Sequence, residues 1–155
     1  MGEGLKKRLN MKGELPVREE MDLNLRIASS MLEGRFEKLI EPFGITGSQY
    51  NILRILKGVY PEGHARCEIA KRMIEKSPDI TRLIDKLEKL GLVERDRNTE
   101  DRRMSITKIT AEGLKIVNEL KPLVEKEHKS ITANLTNHEC EQLSNLLEKL
   151  YADKT

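Results

Sequence analysis

The sequence predicts a mostly α fold with one small β-hairpin. Three observations lead there. The chain is rich in Leu, Ile, Glu and Lys, only 3% of it is aromatic and it has no Trp, a balance that favours helix over sheet. Apolar residues recur at three- and four-residue steps through most of its length. One stretch breaks that rhythm: residues 94–106, ERDRNTEDRRMSI, where eight of thirteen residues are charged and short apolar runs lie on either side. A plain hairpin turn needs only Asn-Gly or its equivalent, so this connection carries more charge than turning requires.

With 155 residues, 37% of them hydrophobic, the chain is long enough to bury a core in one domain. Its 28 basic residues are nearly balanced by 26 acidic ones, for a net charge of +2. A phosphate-binding surface must therefore come from placement and not from total charge. Cys67 and Cys140 are too few and too far apart for a secreted disulfide framework. No apolar run reaches membrane-spanning length, and the basic N-terminus is not followed by an apolar stretch. The expectation is a cytoplasmic protein with no membrane partner.

Residues 1–15 are polar and contain glycines, and are expected to be mobile. A long helix is predicted over 16–43, with Pro16 in its first turn and an apolar stripe of Met21, Leu25, Ala28, Leu32, Phe36, Leu39 and Phe43. Pro42 and Gly44 end it. Thr46 and Gln49 form a capping box for a second helix that stops at Gly58. PEGHA is a loop, and a short third helix from Arg66 to Glu75 buries Ile69, Ala70 and Met73.

The fourth helix is the most fully specified. Ser77 caps it, Pro78 suits its first position and Asp79 lies near the positive end of its dipole. Ile80, Leu83, Ile84, Leu87 and Leu90 form one stripe, and Gly91 is the stop. LVERDR and RMSITKI read as strands joined through NTED. Thr110 caps a fifth helix running toward Leu135, with Pro122 expected to bend it. Thr136 and Glu139 form a second capping box for the last helix. The order is that of a winged helix-turn-helix lobe over 46–110, flanked by long helices at 16–43 and 111–152 in a single domain.

In such an arrangement the exposed residues at the start of the fourth helix meet base edges in the major groove. The candidates are Ser77, Asp79, Thr81, Arg82 and Lys86. Arg82 can donate two hydrogen bonds to guanine; Thr81 suits a thymine methyl or a phosphate; Asp79 suits cytosine or the helix start; Lys86 suits a phosphate. A solvated helix face explains the same charges without a ligand. In the hairpin, Asp101 and Arg103 lie two apart and so share one face of a strand. Asp101 can aim the Arg103 guanidinium into a narrow minor groove while Arg102 meets the backbone. The bland alternative is an exposed ion pair of little energetic weight.

The segment EIAKRMIEKSPDITRLIDKLEKLGLVERDRNTEDRRMSITKITAEG resembles the DNA-binding lobe of the MarR family of bacterial transcription regulators. The family pattern Asp-x-Arg, five residues, Leu-Thr is met by Asp101, Arg103, Ile109 and Thr110, with Ile in place of Leu. RLIDKLEKLGLVER (82–95) also resembles the family. The likeness is strongest over 46–115. It departs at Ile74 and Glu75, where many members have Gly in the turn, and at HARCEIA, which lacks the usual Ser or Thr cap.

The resemblance implies that Thr81 and Arg82 lie on the recognition helix and Arg103 on the wing. It implies a homodimer formed by the terminal helices, a roughly palindromic operator in double-stranded DNA, and repression relieved by a small-molecule effector, often aromatic or phenolic. Met31, Phe36, Tyr50 and Leu53 are candidate pocket residues, with plain core packing as their alternative role. Redox sensing through Cys67 or Cys140 and metal binding through His64–Cys67 or His138–Cys140 are weaker alternatives, and no cofactor or metal is expected. A winged helix that docks on protein is the competing function. An enzyme is not expected, because no nucleophile–base pair, Gly-rich phosphate loop or catalytic carboxylate cluster is present.

Overall fold

The computed structural model describes residues 2–75, 79–96 and 105–152. They fall into two compact units, 1–38 and 39–155.

The first unit opens with helix α1 (Glu3–Leu9), which ends at Asn10 in the left-handed region. No helix was expected over residues 1–15, whose composition suggested a mobile segment. Leu5 is buried, the Gly2 N–H donates to Glu20 Oε1 at 2.6 Å and Lys6 Nζ donates to Glu14 Oε1 at 2.5 Å. One apolar anchor and two tethers order a segment whose composition is polar. Helix α2 (Val17–Ile40) follows, with Pro16 just outside it and its carbonyl accepting from Glu20 N–H. The expected stripe is not packed: Met21, Leu25, Met31 and Leu32 are all exposed, Met21 and Met31 by nearly half their surface. Helix α2 therefore presents apolar side chains at its surface.

The second unit begins where Ile40, fully buried, closes α2. A 3-10 turn at Glu41–Phe43 follows and ends at Gly44 with φ 68°, a backbone state that favours glycine. Helix α3 (Gly47–Lys57) has the expected capping box: Gln49 N–H donates to Thr46 Oγ1, and Thr46 N–H donates to Gln49 Oε1 at 2.9 Å. It is the central helix of the unit, with Ile52, Leu53 and Leu56 fully buried.

Strand β1 (His64–Ala65) was not expected. It pairs antiparallel with β3 (Ile106–Ile109), His64 facing Thr107, so that among the described residues the sheet has three strands in the order β1-β3-β2, β2 being Val93–Asp96. Gly63 makes this possible. It sits at φ 82°, and a Cβ there would overlap the Thr107 carbonyl. Helix α4 (Arg66–Arg72) is shorter than expected. Ile69 and Met73 are buried, but Ala70 is exposed, because ending the helix at Arg72 leaves only one inward turn.

Helix α5 (Ile80–Lys89) buries Ile80, Ile84 and Leu87. Leu90 lies beyond its end and is half exposed, not part of the stripe. Gly91 at φ 70° reverses the chain, and the Leu92 N–H closes back on the Leu87 carbonyl at 3.0 Å. Strands β2 (Val93–Asp96) and β3 (Ile106–Ile109) pair antiparallel, Val93 opposite Ile109.

Thr110 then caps helix α6 (Ala111–Ile131), which continues through Pro122 and stops short of Leu135. Its first turn abuts the hairpin at Gly113, where a Cβ would overlap the Leu92 carbonyl. Thr136 and Glu139 form the second capping box, on helix α7 (Asn137–Tyr151). That helix buries none of its side chains; Leu143, Leu146, Leu150 and Tyr151 are exposed.

Candidate nucleic-acid interface

The turn from α4 into α5 decides where the exposed end of α5 points. Met73 leaves α4 in an extended conformation, φ −65° and ψ 139°, and the Ile74 N–H donates to Asn51 Oδ1 of α3 at 3.0 Å. A side-chain acceptor from the central helix thus holds the bend that many family members make with Gly. At the other side of the turn the cap of α5 is Asp79, whose carboxylate accepts from the Arg82 N–H at 3.2 Å. The expected cap, Ser77, precedes the true one by two residues and lies, with Pro78, outside the described residues. Asp79 satisfies one of the N–H groups that a helix start leaves unpaired.

With Ile80, Ile84 and Leu87 turned inward, Thr81, Arg82 and Lys86 are exposed. The acids of the same helix are engaged elsewhere. Asp85 accepts a short hydrogen bond from Arg95 Nη2 of β2, and Glu88 lies 3.6 Å from Arg95 Nη1. Arg95 therefore ties the hairpin to α5 and neutralises two carboxylates that would otherwise oppose an approaching anion. Arg82 carries no side-chain ion pair among the described residues. Arg66, first residue of α4, donates from Nη1 to Thr81 Oγ1 at 2.8 Å. The sequence reading missed Arg66 and Arg95, since neither partner is a near neighbour in sequence.

The hairpin base is fixed from both sides. Thr110 Oγ1 donates to the Gly91 carbonyl at 2.7 Å and accepts from the Gly113 N–H at 3.1 Å. Lys108, which stands opposite Glu94, reaches diagonally to Asp96 at 3.8 Å. The tip, including Asp101, Arg102 and Arg103, lies outside the described residues.

A second feature lies between α3 and α6, a cleft of about 510 Å³ lined by Tyr50, Arg54, Lys57, Val117, Lys121, Val124, Glu125 and His128. Of the four candidate pocket residues, Tyr50 lines it. Leu53 is fully buried in the core, and Met31 and Phe36 belong to the first unit. Burial raises the Tyr50 phenol above its ordinary value against the opposing charge of Arg54. Lys57 Nζ donates to Asn118 Oδ1 at 2.6 Å, and Lys121 lies 3.9 Å from Glu125. Arg54 has no ion pair among the described residues, so the cleft is apolar on one wall and cationic on its rim.

Both cysteines are free, Cys67 exposed and Cys140 half-buried. Among the described residues no group of three or more His, Cys, Asp or Glu side chains converges to hold a metal ion, and no helix is long and apolar enough to cross a membrane.

Comparison with known proteins matches the geometry. The family model described as MarR family matches residues 45–105. The chain is 30% identical over 138 residues, 88% of its own length and 84% of the relative's, to the HTH-type transcriptional regulator PapX of Escherichia coli. Among solved structures, a MarR transcription factor from Planctomyces limnophilus is 36% identical, with a TM-score of 0.68 over 89% of this chain and 98% of that one. A mutant MarR from E. coli in complex with operator DNA is 26% identical, with a TM-score of 0.73 over 84% and 93% of the two chains. Helix α5 capped by Asp79, the hairpin tied to it by Arg95 and these likenesses over most of the chain lead to one conclusion: the protein belongs to the MarR family of transcriptional regulators.

Proposed function

We propose that this chain is a cytoplasmic, homodimeric, sequence-specific DNA-binding regulator, and that it represses by occupying an operator until a small molecule releases it. The observation that carries the reading is the exposed edge of α5. Thr81, Arg82 and Lys86 face solvent, while Asp79 caps the helix and Asp85 and Glu88 are held by Arg95. What remains for a partner is donors and positive charge, which suits guanine edges and phosphates. On this reading Arg103, aimed by Asp101, enters the adjoining minor groove, Arg102 meets the DNA backbone and Ser77 adds a donor before the helix; all four lie outside the described residues.

The exposed leucines of α7 and the exposed stripe of α2 support a dimer in which terminal helices cover each other. Two α5 helices related by a two-fold axis read half-sites about 34–36 Å apart, or a multiple of that, in an approximately palindromic duplex. The α3–α6 cleft supports the effector role. Its apolar wall and Arg54, which has no ion pair among the described residues, suit a flat organic anion, with Tyr50 as donor.

Fluorescence anisotropy on duplex DNA tests the reading. Wild-type protein binds with a log–log salt slope of about −0.9 per phosphate contact. Arg103→Ala weakens binding strongly while its circular dichroism and sedimentation stay those of wild type. Equal affinity of the two proteins removes the wing from the interface. Failure of the wild type to bind any duplex favours a winged helix that docks on protein.

A further inference from the structure

Arg66 and Thr81 form a pair that the sequence reading did not contain. Both side chains are exposed, and the guanidinium donates to the hydroxyl oxygen at 2.8 Å. A lone hydrogen bond in that setting contributes little to stability, because water offers the same partners. Its consequence is directional. A threonine hydroxyl has one proton to give and two lone pairs to accept with. Arg66 occupies one lone pair and places a positive charge beside the other, which disfavours any further donor. The hydroxyl proton has no acceptor among the described residues.

The surroundings keep Arg66 on this task. Glu68, two residues along, is held by Lys71 at 2.9 Å, and that contact lowers the Glu68 pKa and raises that of Lys71. Arg66 has no carboxylate partner among the described residues. Arg82, next to Thr81 in sequence, likewise has none among the described residues. We infer that Arg66 is a positioning residue for base specificity: it turns Thr81 into an obligate hydrogen-bond donor, so that each half-site carries, opposite Thr81, a base edge presenting an acceptor and not the cytosine amino group. Guanine O6 or N7, adenine N7 and thymine O4 meet that condition in the major groove; cytosine offers its N4 amino donor there. The inference rests on the DNA-binding reading above.

The test uses the full chain and duplexes selected from a random library, then varied one base at a time through a half-site. The proteins are wild type, Arg66→Ala, Thr81→Val, Thr81→Ser and the Arg66→Ala/Thr81→Val double variant. Wild type is expected to disfavour cytosine at one position by roughly fivefold to tenfold, about the net worth of one hydrogen bond. Arg66→Ala and Thr81→Val each lose that discrimination at the same position, the double variant loses no more, and Thr81→Ser keeps it. The inference is overturned if Arg66→Ala retains the discrimination. It is also overturned if that variant lowers affinity equally for every duplex with a salt slope smaller by about one, since Arg66 is then a phosphate contact only. A wild type without sequence preference on any duplex refutes the DNA-binding reading itself, before any variant is compared.

Discussion

Leu53 and Tyr50 stand three residues apart on α3, yet the structure separates their roles. Leu53 has no exposed surface, while Tyr50 lines the cleft. Leu53→Ala is therefore expected to cost about 2–5 kcal/mol in denaturant unfolding, the range for emptying a packed aliphatic site. Helical periodicity put both residues on one apolar stripe and stopped there, because it reports a face and not the depth within it. The exposure of Thr81, Arg82 and Lys86 was legible for a simpler reason: the inward stripe of α5 leaves them no other direction. Arg66 and Arg95 were not, because each acts through a partner 15 or 10 residues away, and only the closed turn brings those partners together.

The caps at Thr46, Thr110 and Thr136 were read correctly at the scale of single elements, since a capping hydrogen bond spans three residues and needs no tertiary knowledge. The cap of α5 is Asp79, two residues later than the expected Ser77, which lies outside the described residues. Strand β1 left no signal, as two residues cannot alternate; it forms because Gly63 lets the chain lie against β3. Helix α1 was hidden by polar composition and a single anchoring leucine.

Two predictions belong to these elements. Gly113→Ala would ordinarily stabilise a helix, but here the added Cβ meets the Leu92 carbonyl and the Ile109 side chain. A net loss of about 1–3 kcal/mol is expected, and a gain in melting temperature would show that the hairpin does not press on α6. In the α7 box, hydrogen bonding from the Thr136 backbone and hydroxyl holds the Glu139 carboxyl below its ordinary value of 4.5. A depressed carboxylate stabilises the fold above its unfolded value and stops doing so as pH falls through the folded one. Helicity of α7 should therefore fall on acidification below about pH 4.5, and Glu139→Gln, which keeps the box without the charge, should flatten that part of the titration. An unchanged titration in Glu139→Gln would mean that the charge adds nothing to the cap.

For the whole molecule, the order of helices and the hairpin could be read from caps, stops and periodicity, since those are local. How the long helices are covered could not, because the side chains that would cover α7 and the α2 stripe are not supplied by the elements next to them in sequence. Under the proposed function, the winged helix-turn-helix lobe and the exposed terminal helices would recognise DNA in two symmetric halves. Selection of bound sites from a random duplex library tests this most directly. An inverted repeat is expected with half-site centres about one helical turn apart, or a multiple of it, and an Arg82→Ala protein is expected to recover the same spacing with relaxed preference at one position per half. Recovery of unrelated sequences without two-fold symmetry would contradict it.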